Sequence, residues 1–145
     1  MNDLNRYFKV SRRQYRDAAL IDFGFKPYKS SYLGRLTNDN IFQFIEFIKY
    51  RFGGQFKVVI AIRPLFCQNN SYLTTQPGNT LDFIATNGKS DRWWLSTDQN
   101  VIDQSLKDVS RLINLFAIPF FSATTRSEDI IKSKQRNLFC ECCYC

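Results

Sequence analysis

Histidine is absent from the chain, and with it go the usual general base at neutral pH and the commonest metal ligand. A Ser–His–Asp triad, a HExxH zinc site and a histidine proton shuttle are therefore excluded. Long apolar runs are missing too: none approaches the ~18 residues of a membrane-spanning helix. The N-terminus is polar and amphipathic and lacks the apolar centre of a signal peptide, so a cytoplasmic location is the expectation. Methionine occurs once, against fourteen Phe, seven Tyr and two Trp. A buried aromatic removes about 150–250 Å² from water, so Phe should dominate the energetics of the core.

At 145 residues the chain fits one domain, and such a length can bury roughly two-thirds of its unfolded surface. Residues 1–138 are expected to form it, followed by a cysteine-rich tail at 139–145 that is disordered and reduced. The net charge is +7, and its excess sits at the front, where the first 35 residues hold eight Lys and Arg against three Asp. That field favours encounters with acidic proteins, phosphates or anionic membranes without specifying any of them. A solvated helix face explains the same charges.

Residues 3–22 have the periodicity of an amphipathic helix, with Leu4, Phe8, Ser11, Tyr15, Ala18 and Ala19 near one face. Gly24 and Pro27 stop it. Three strands are expected next, at 28–36, 41–52 and 55–62. Thr37-Asn38-Asp39-Asn40 joins the first two, and Gly53-Gly54 makes a two-residue hairpin turn between the others. The second strand is apolar on both faces and should be central. Residues 64–80 read as a long loop. Short strands at 81–86 and 92–95 flank Asn87-Gly88. Ser96 to Gln99 has capping-box spacing and opens a helix to about Phe116, before Pro119 interrupts. A second capping box, Thr125-Arg126-Ser127-Glu128, opens a short helix to about Arg136. The order implies an α+β fold: a mainly antiparallel meander of about five strands, with an N-terminal helix and two C-terminal helices packed on it.

Several of these strings together resemble the bacterial family designated domain of unknown function 4304. The residues concerned are Gly24-Phe25-Lys26 after the first helix, the apolar meander over 41–62, Asp91-Arg92-Trp93-Trp94, and residues 112–121 with Ile118-Pro119-Phe120. The likeness covers about residues 4–131 and implies a fold; it carries no activity and no functional residues.

Candidate chemistry is sparse. Cys140, Cys142, Cys143 and Cys145 could bind a soft metal as thiolates, but structural zinc sites split their cysteines into separated pairs, and this cluster does not. The same residues formally begin a prenylation box but lack its aliphatic second position and its usual final residue. Asn87-Gly88-Lys89-Ser90 ends like a phosphate-binding loop, yet Phe83 stands where that motif needs Gly. Cys67 has no His to activate it. Trp93 and Trp94 are consecutive in an expected strand, so only one can enter a given core layer. The other is covered or lines a groove, with Arg92 and Arg63 as candidate cationic neighbours. Glu46, on a two-faced strand, is either a partly buried, perturbed carboxylate or an ion-pair partner of Lys57 or Arg63.

No catalytic residue, cofactor or metal is assigned. The expectation is a non-enzymatic protein-interaction module, of the kind an immunity protein exemplifies, whose partner is another protein, an acidic one being favoured by the charge. Its candidate surface comprises Trp93, Trp94, Arg92, Arg63, Arg12, Arg13 and Arg16. The alternative is nucleic-acid binding by the basic first helix and the aromatic sheet residues. An enzyme would have to work through Glu46 or Asp91.

Overall fold

The computed structural model describes residues 3–29, 32–65 and 78–126 together with Glu128. Helix α1 spans Asp3–Leu20 and runs into a 3-10 turn at Ile21–Phe23. Gly24 ends it in the left-handed region at φ 96°, which glycine adopts without steric cost.

Among the described residues six strands form one antiparallel sheet. The meander β1 (Lys26–Lys29), β2 (Tyr32–Leu36), β3 (Ile41–Lys49), β4 (Gln55–Pro64) and β5 (Gly78–Thr80) lies in chain order. The two-residue strand β6 (Trp94–Leu95) pairs with the start of β4, Phe56 opposite Trp94. The expected strand at 28–36 is thus two strands forming a hairpin of their own. Pro27 is accommodated because β1 lies at the sheet edge, where a missing N–H costs little. The expected strand at 41–52 ends at Lys49. The Tyr50 N–H bonds the Gln55 carbonyl at 2.8 Å, and Arg51–Gly54 form a four-residue turn with both glycines at positive φ, not a two-residue one.

Residues 81–86 are not a strand. Thr80 accepts the Phe83 N–H on its hydroxyl at 3.3 Å and caps a short helix, α2 (Leu81–Ala85), which buries Leu81 and Asp82. Helix α3 (Gln99–Leu112) is capped by Asp98, whose carboxylate accepts the Val101 N–H at 2.9 Å; Ser96 does not cap it. Nor does Pro119 interrupt the run. A widened π turn at Ile113–Ala117 leads directly into α4 (Ile118–Ser122). There the Ile118 N–H reaches five residues back to Ile113, and the following proline, which has no N–H to give, falls where the hydrogen-bond register shifts. Residues 66–77 and most of the expected 125–136 helix lie outside the described residues, as do Cys67 and the cysteines of the tail.

The helices cover one face of the sheet. Ile41, Ile45 and Phe47 of β3 with Phe56, Val58, Ile60 and Ile62 of β4 pack against Phe8 and Leu20 of α1, and against Ile102, Leu106 and Val109 of α3. Pairing of Ile45 with Ile60 and of Phe47 with Val58 puts these strand residues on the same side. The chain is therefore α+β, with an antiparallel sheet, an N-terminal helix and two C-terminal helices. Among the described residues no helix is long and apolar enough to cross a membrane.

Candidate interaction surface

The face opposite the helices carries the residues that β3 and β4 do not spend on the core. Phe42, Phe44, Glu46 and Ile48 stand opposite Arg63, Ala61, Val59 and Lys57. At one end the rings of Tyr28, Tyr32, Phe42 and Phe44 form a chain with neighbouring centroids 5.2–6.3 Å apart. Gly34 lies beneath it, and a Cβ there would meet the Phe42 ring at 2.5 Å. The missing side chain is what lets that ring lie across β2.

The other end is more exposed. Trp93 and Trp94 fall on opposite sides of the sheet, as alternation requires. Trp94 is 4% exposed and stacks on Phe56 at 6.1 Å, while Trp93 is half-buried on the outer side. Trp93 meets Tyr50 edge to face at 5.3 Å, and Tyr50 meets Phe52 at 5.6 Å. Phe52, in the β3–β4 turn, is 78% exposed. Two cations flank this ridge: the Lys57 ammonium lies 4.9 Å from the Trp93 ring centre, and the Arg51 guanidinium 5.4 Å from that of Phe52. Lys57 is held by Asp91 at 3.0 Å, and Asp91 also accepts from the Thr80 hydroxyl. Burial pulls the Asp91 carboxyl upward, but the hydrogen bonds from Thr80 and Lys57 and the Lys57 charge outweigh it and leave its pKa below the ordinary value.

Trp94 and Arg92 serve a different purpose. Arg92 stacks over the Trp94 ring at 4.9 Å and pairs with both Asp82 and Asp108. The Asp108 carboxylate also takes the Trp94 indole N–H at 3.1 Å and Arg111 at 2.7 Å. Buried Asp82 accepts the Ser90 hydroxyl and the Arg92 N–H as well. This clamp ties α2, the loop before β6, and α3 together. It consumes two residues expected on a contact surface.

Arg12 and Arg16 are a further correction. They are 5% and 2% exposed, because they sit on the buried stripe of α1 beside Phe8 and Leu20. Arg13 remains exposed. Arg63 is half-buried at the far end of β4, opposite Phe42 and away from Trp93. Glu46 is half-buried on the outer face and makes neither expected ion pair: register sets it opposite Val59, Lys57 is taken by Asp91, and Arg63 lies four pairs along the ladder. Among the described residues no cluster of three or more acidic or cysteine side chains could hold a metal ion; Cys140, Cys142, Cys143 and Cys145 lie outside them.

Tyr50, Arg51 and Phe52 were not singled out from sequence, because residues 50–52 read as the end of a strand, and Lys57 entered only as a candidate partner for Glu46. The consecutive glycines were the available signal, since residues just before such a turn stand at a loop tip. Gln43 was missed as well. Fully buried among apolar neighbours, it donates to the Phe121 carbonyl at 2.6 Å and to Thr124, and accepts the Arg35 Nε–H at 2.6 Å. Arg35 in turn donates to the Phe23 carbonyl at 2.7 Å and stacks on the Phe23 ring at 4.0 Å. Burial lowers the Arg35 pKa.

Comparison with family models, curated proteins and solved structures returns no match for the chain.

Proposed function

We propose that the protein is a non-enzymatic interaction module that contacts another protein through the aromatic ridge at the β3–β4 turn. One observation carries this reading: Phe52 holds its ring almost wholly in water, at the end of a chain of aromatic contacts through Tyr50 to Trp93, with Arg51 and Lys57 against the rings. Large aromatics beside Arg are the side chains most enriched among binding hot spots. The flanking cations and the net charge of +7 favour a partner with an acidic rim. A small partner-neutralising protein of the bacterial cytoplasm fits this description, by analogy alone. Kinship with domain of unknown function 4304 belongs to the same proposal and would add no activity to it.

The test places a photo-crosslinking residue at Phe52, and as a control at exposed Lys107 on α3. Cross-linking from position 52 to one protein species, lost in Trp93→Ala, supports the reading; equal labelling from both positions sinks it. The competing reading is nucleic-acid binding, favoured by Lys57 over Trp93 in the manner of a base-stacking platform. It has lost Arg12 and Arg16 to the interior. Micromolar, salt-sensitive binding of single-stranded DNA or RNA, abolished by Trp93→Ala, would install it in place of the first.

A further inference from the structure

Of the ten large apolar side chains that stand exposed among the described residues, six belong to the outer face of the sheet. They are Tyr28, Leu36, Ile48, Tyr50, Phe52 and Leu95, each 37–78% exposed. Register and ring contacts place them there: Leu36 is opposite Phe42, Ile48 opposite Lys57, and Leu95 follows the inward Trp94. Tyr28 touches the Phe42 ring, and Tyr50 touches those of Trp93 and Phe52. With about half of each in water, at about 150–250 Å² per large side chain, they expose roughly 600 Å² of apolar surface. The largest patch on an ordinary monomer is about 300–600 Å². Half-buried Tyr32, Phe42 and Trp93 extend it towards the ~800 Å² that each partner gives to a stable interface. The same face carries charge of both signs, Glu46 in β3 and Arg51 in the turn that follows, and neither is engaged in an ion pair among the described residues.

We infer that this face is covered by the same face of a second copy of the chain, in a closed two-fold pair. Two antiparallel sheets stack face to face about 10 Å apart with their strands within about 30° of each other. A two-fold contact requires one surface to be complementary to itself, and the order of residues along β3 meets that condition. An axis crossing the strands near Ile48 sets Arg51 of each copy over Glu46 of the other. It also carries each Phe52 ring towards the Tyr32 and Phe44 rings of the other copy, while Ile48 and Tyr50 meet their equivalents at the centre. Lys57 brings no added repulsion, being balanced by Asp91. The net charge of +7 opposes approach at long range, but at physiological salt it is screened beyond about 8 Å. Pairing hides the ridge at Phe52, so a partner bound there competes with the second copy. The inference goes beyond the proposed function and does not rest on it: a strictly monomeric chain would leave the cross-linking test at Phe52 as it stands.

The test is sedimentation equilibrium of the full chain at physiological salt, over about a hundredfold range of concentration reaching well above the expected Kd. The mass should climb from 17.1 kDa to twice that value and stop, with a Kd on the order of 10 µM, towards the weak end for an interface of this size. Phe52→Ser and Ile48→Ser, at exposed positions, should each weaken pairing about tenfold or more with Tm unchanged. Leu115→Ser, exposed on the π turn away from the sheet, should leave pairing as it is. Charge reversal gives the sharper readout: Glu46→Arg and Arg51→Glu should each weaken the pair about tenfold, and the two together should restore most of it, because the exchanged charges meet again across the axis. Four results overturn the inference. They are a monomer throughout the range, a mass that grows past two copies, pairing indifferent to Phe52→Ser and Ile48→Ser, and a double charge reversal no better than either single one.

Discussion

On the helix-bearing face of the sheet, β3 and β4 present branched aliphatics and two phenylalanines, nearly all closed to solvent, and the polar side chain buried among them, Gln43, spends both ends of its amide. On the opposite face the same two strands mix rings, aliphatics and charges, and the Phe42 ring lies across Gly34, where it depends on an absent side chain. The first face is held by area removed from water and by satisfied hydrogen bonds; the second is held ring by ring and leaves Phe52, Tyr50 and Ile48 exposed. A strand apolar on both faces is therefore not evidence of two equivalent cores. One face closes the fold, and the other is available for contact.

The strongest way to break that contrast is at Gln43. Replacing it with Leu preserves bulk but leaves the Phe121 carbonyl, Thr124 and the Arg35 Nε–H without their partner in a site closed to water. A loss of about 3 kcal/mol is expected, a fall in Tm on the order of 10 °C, read by urea and thermal unfolding. If Gln43→Leu is as stable as the natural protein, this amide network does not hold α4 to the sheet.

Gly34→Ala tests the outer face and should cost less, about 2 kcal/mol, since the new methyl must displace the Phe42 ring. In a Phe42→Ala background most of that cost should vanish, though the Gln43 carbonyl, 3.0 Å from the added carbon, keeps the relief partial. Additive costs in the double-mutant cycle would mean that ring and glycine are independent.

Much of the architecture was legible in the sequence because period and punctuation agree there. The stripe of α1 and the stop at Gly24 came from spacing and from glycine's freedom at positive φ, and β4 from strict alternation. The errors fall where tertiary context decides. Leu81, Ile84 and Ala85 form too short an apolar set to separate strand from helix until the Thr80 cap is seen. Pro119 is a breaker only in a regular α-helix, and the π turn before it makes room. The site was harder to see because charge was read as exposure. Arg12, Arg16 and Arg92 are drawn into packing and ion pairs, and no one-dimensional pattern announces a buried arginine. The exposed Phe52 hid in plain view as one more residue of an aromatic-rich strand.

The smallest effect belongs to the clamp that separates Trp94 from Trp93. Burial pushes the Asp108 carboxyl up, but hydrogen bonds from Arg111 and Trp94 and the charges of Arg92 and Arg111 bring it below its ordinary pKa. A carboxyl depressed in the folded state adds stability that is present above its unfolded pKa, about 3.9, and that disappears as pH falls through the folded value. Asp108→Asn should therefore cost about 1 kcal/mol at pH 7, modest because Arg92 and Arg111 are half in water. The gap between variant and natural protein should narrow steadily below about pH 4, where the natural carboxyl is itself protonated. Urea unfolding at pH 7, 4 and 3 measures it. A gap independent of pH would show that the clamp works through shape and neutral hydrogen bonds, and that the charge on Asp108 adds nothing to fixing which tryptophan faces out.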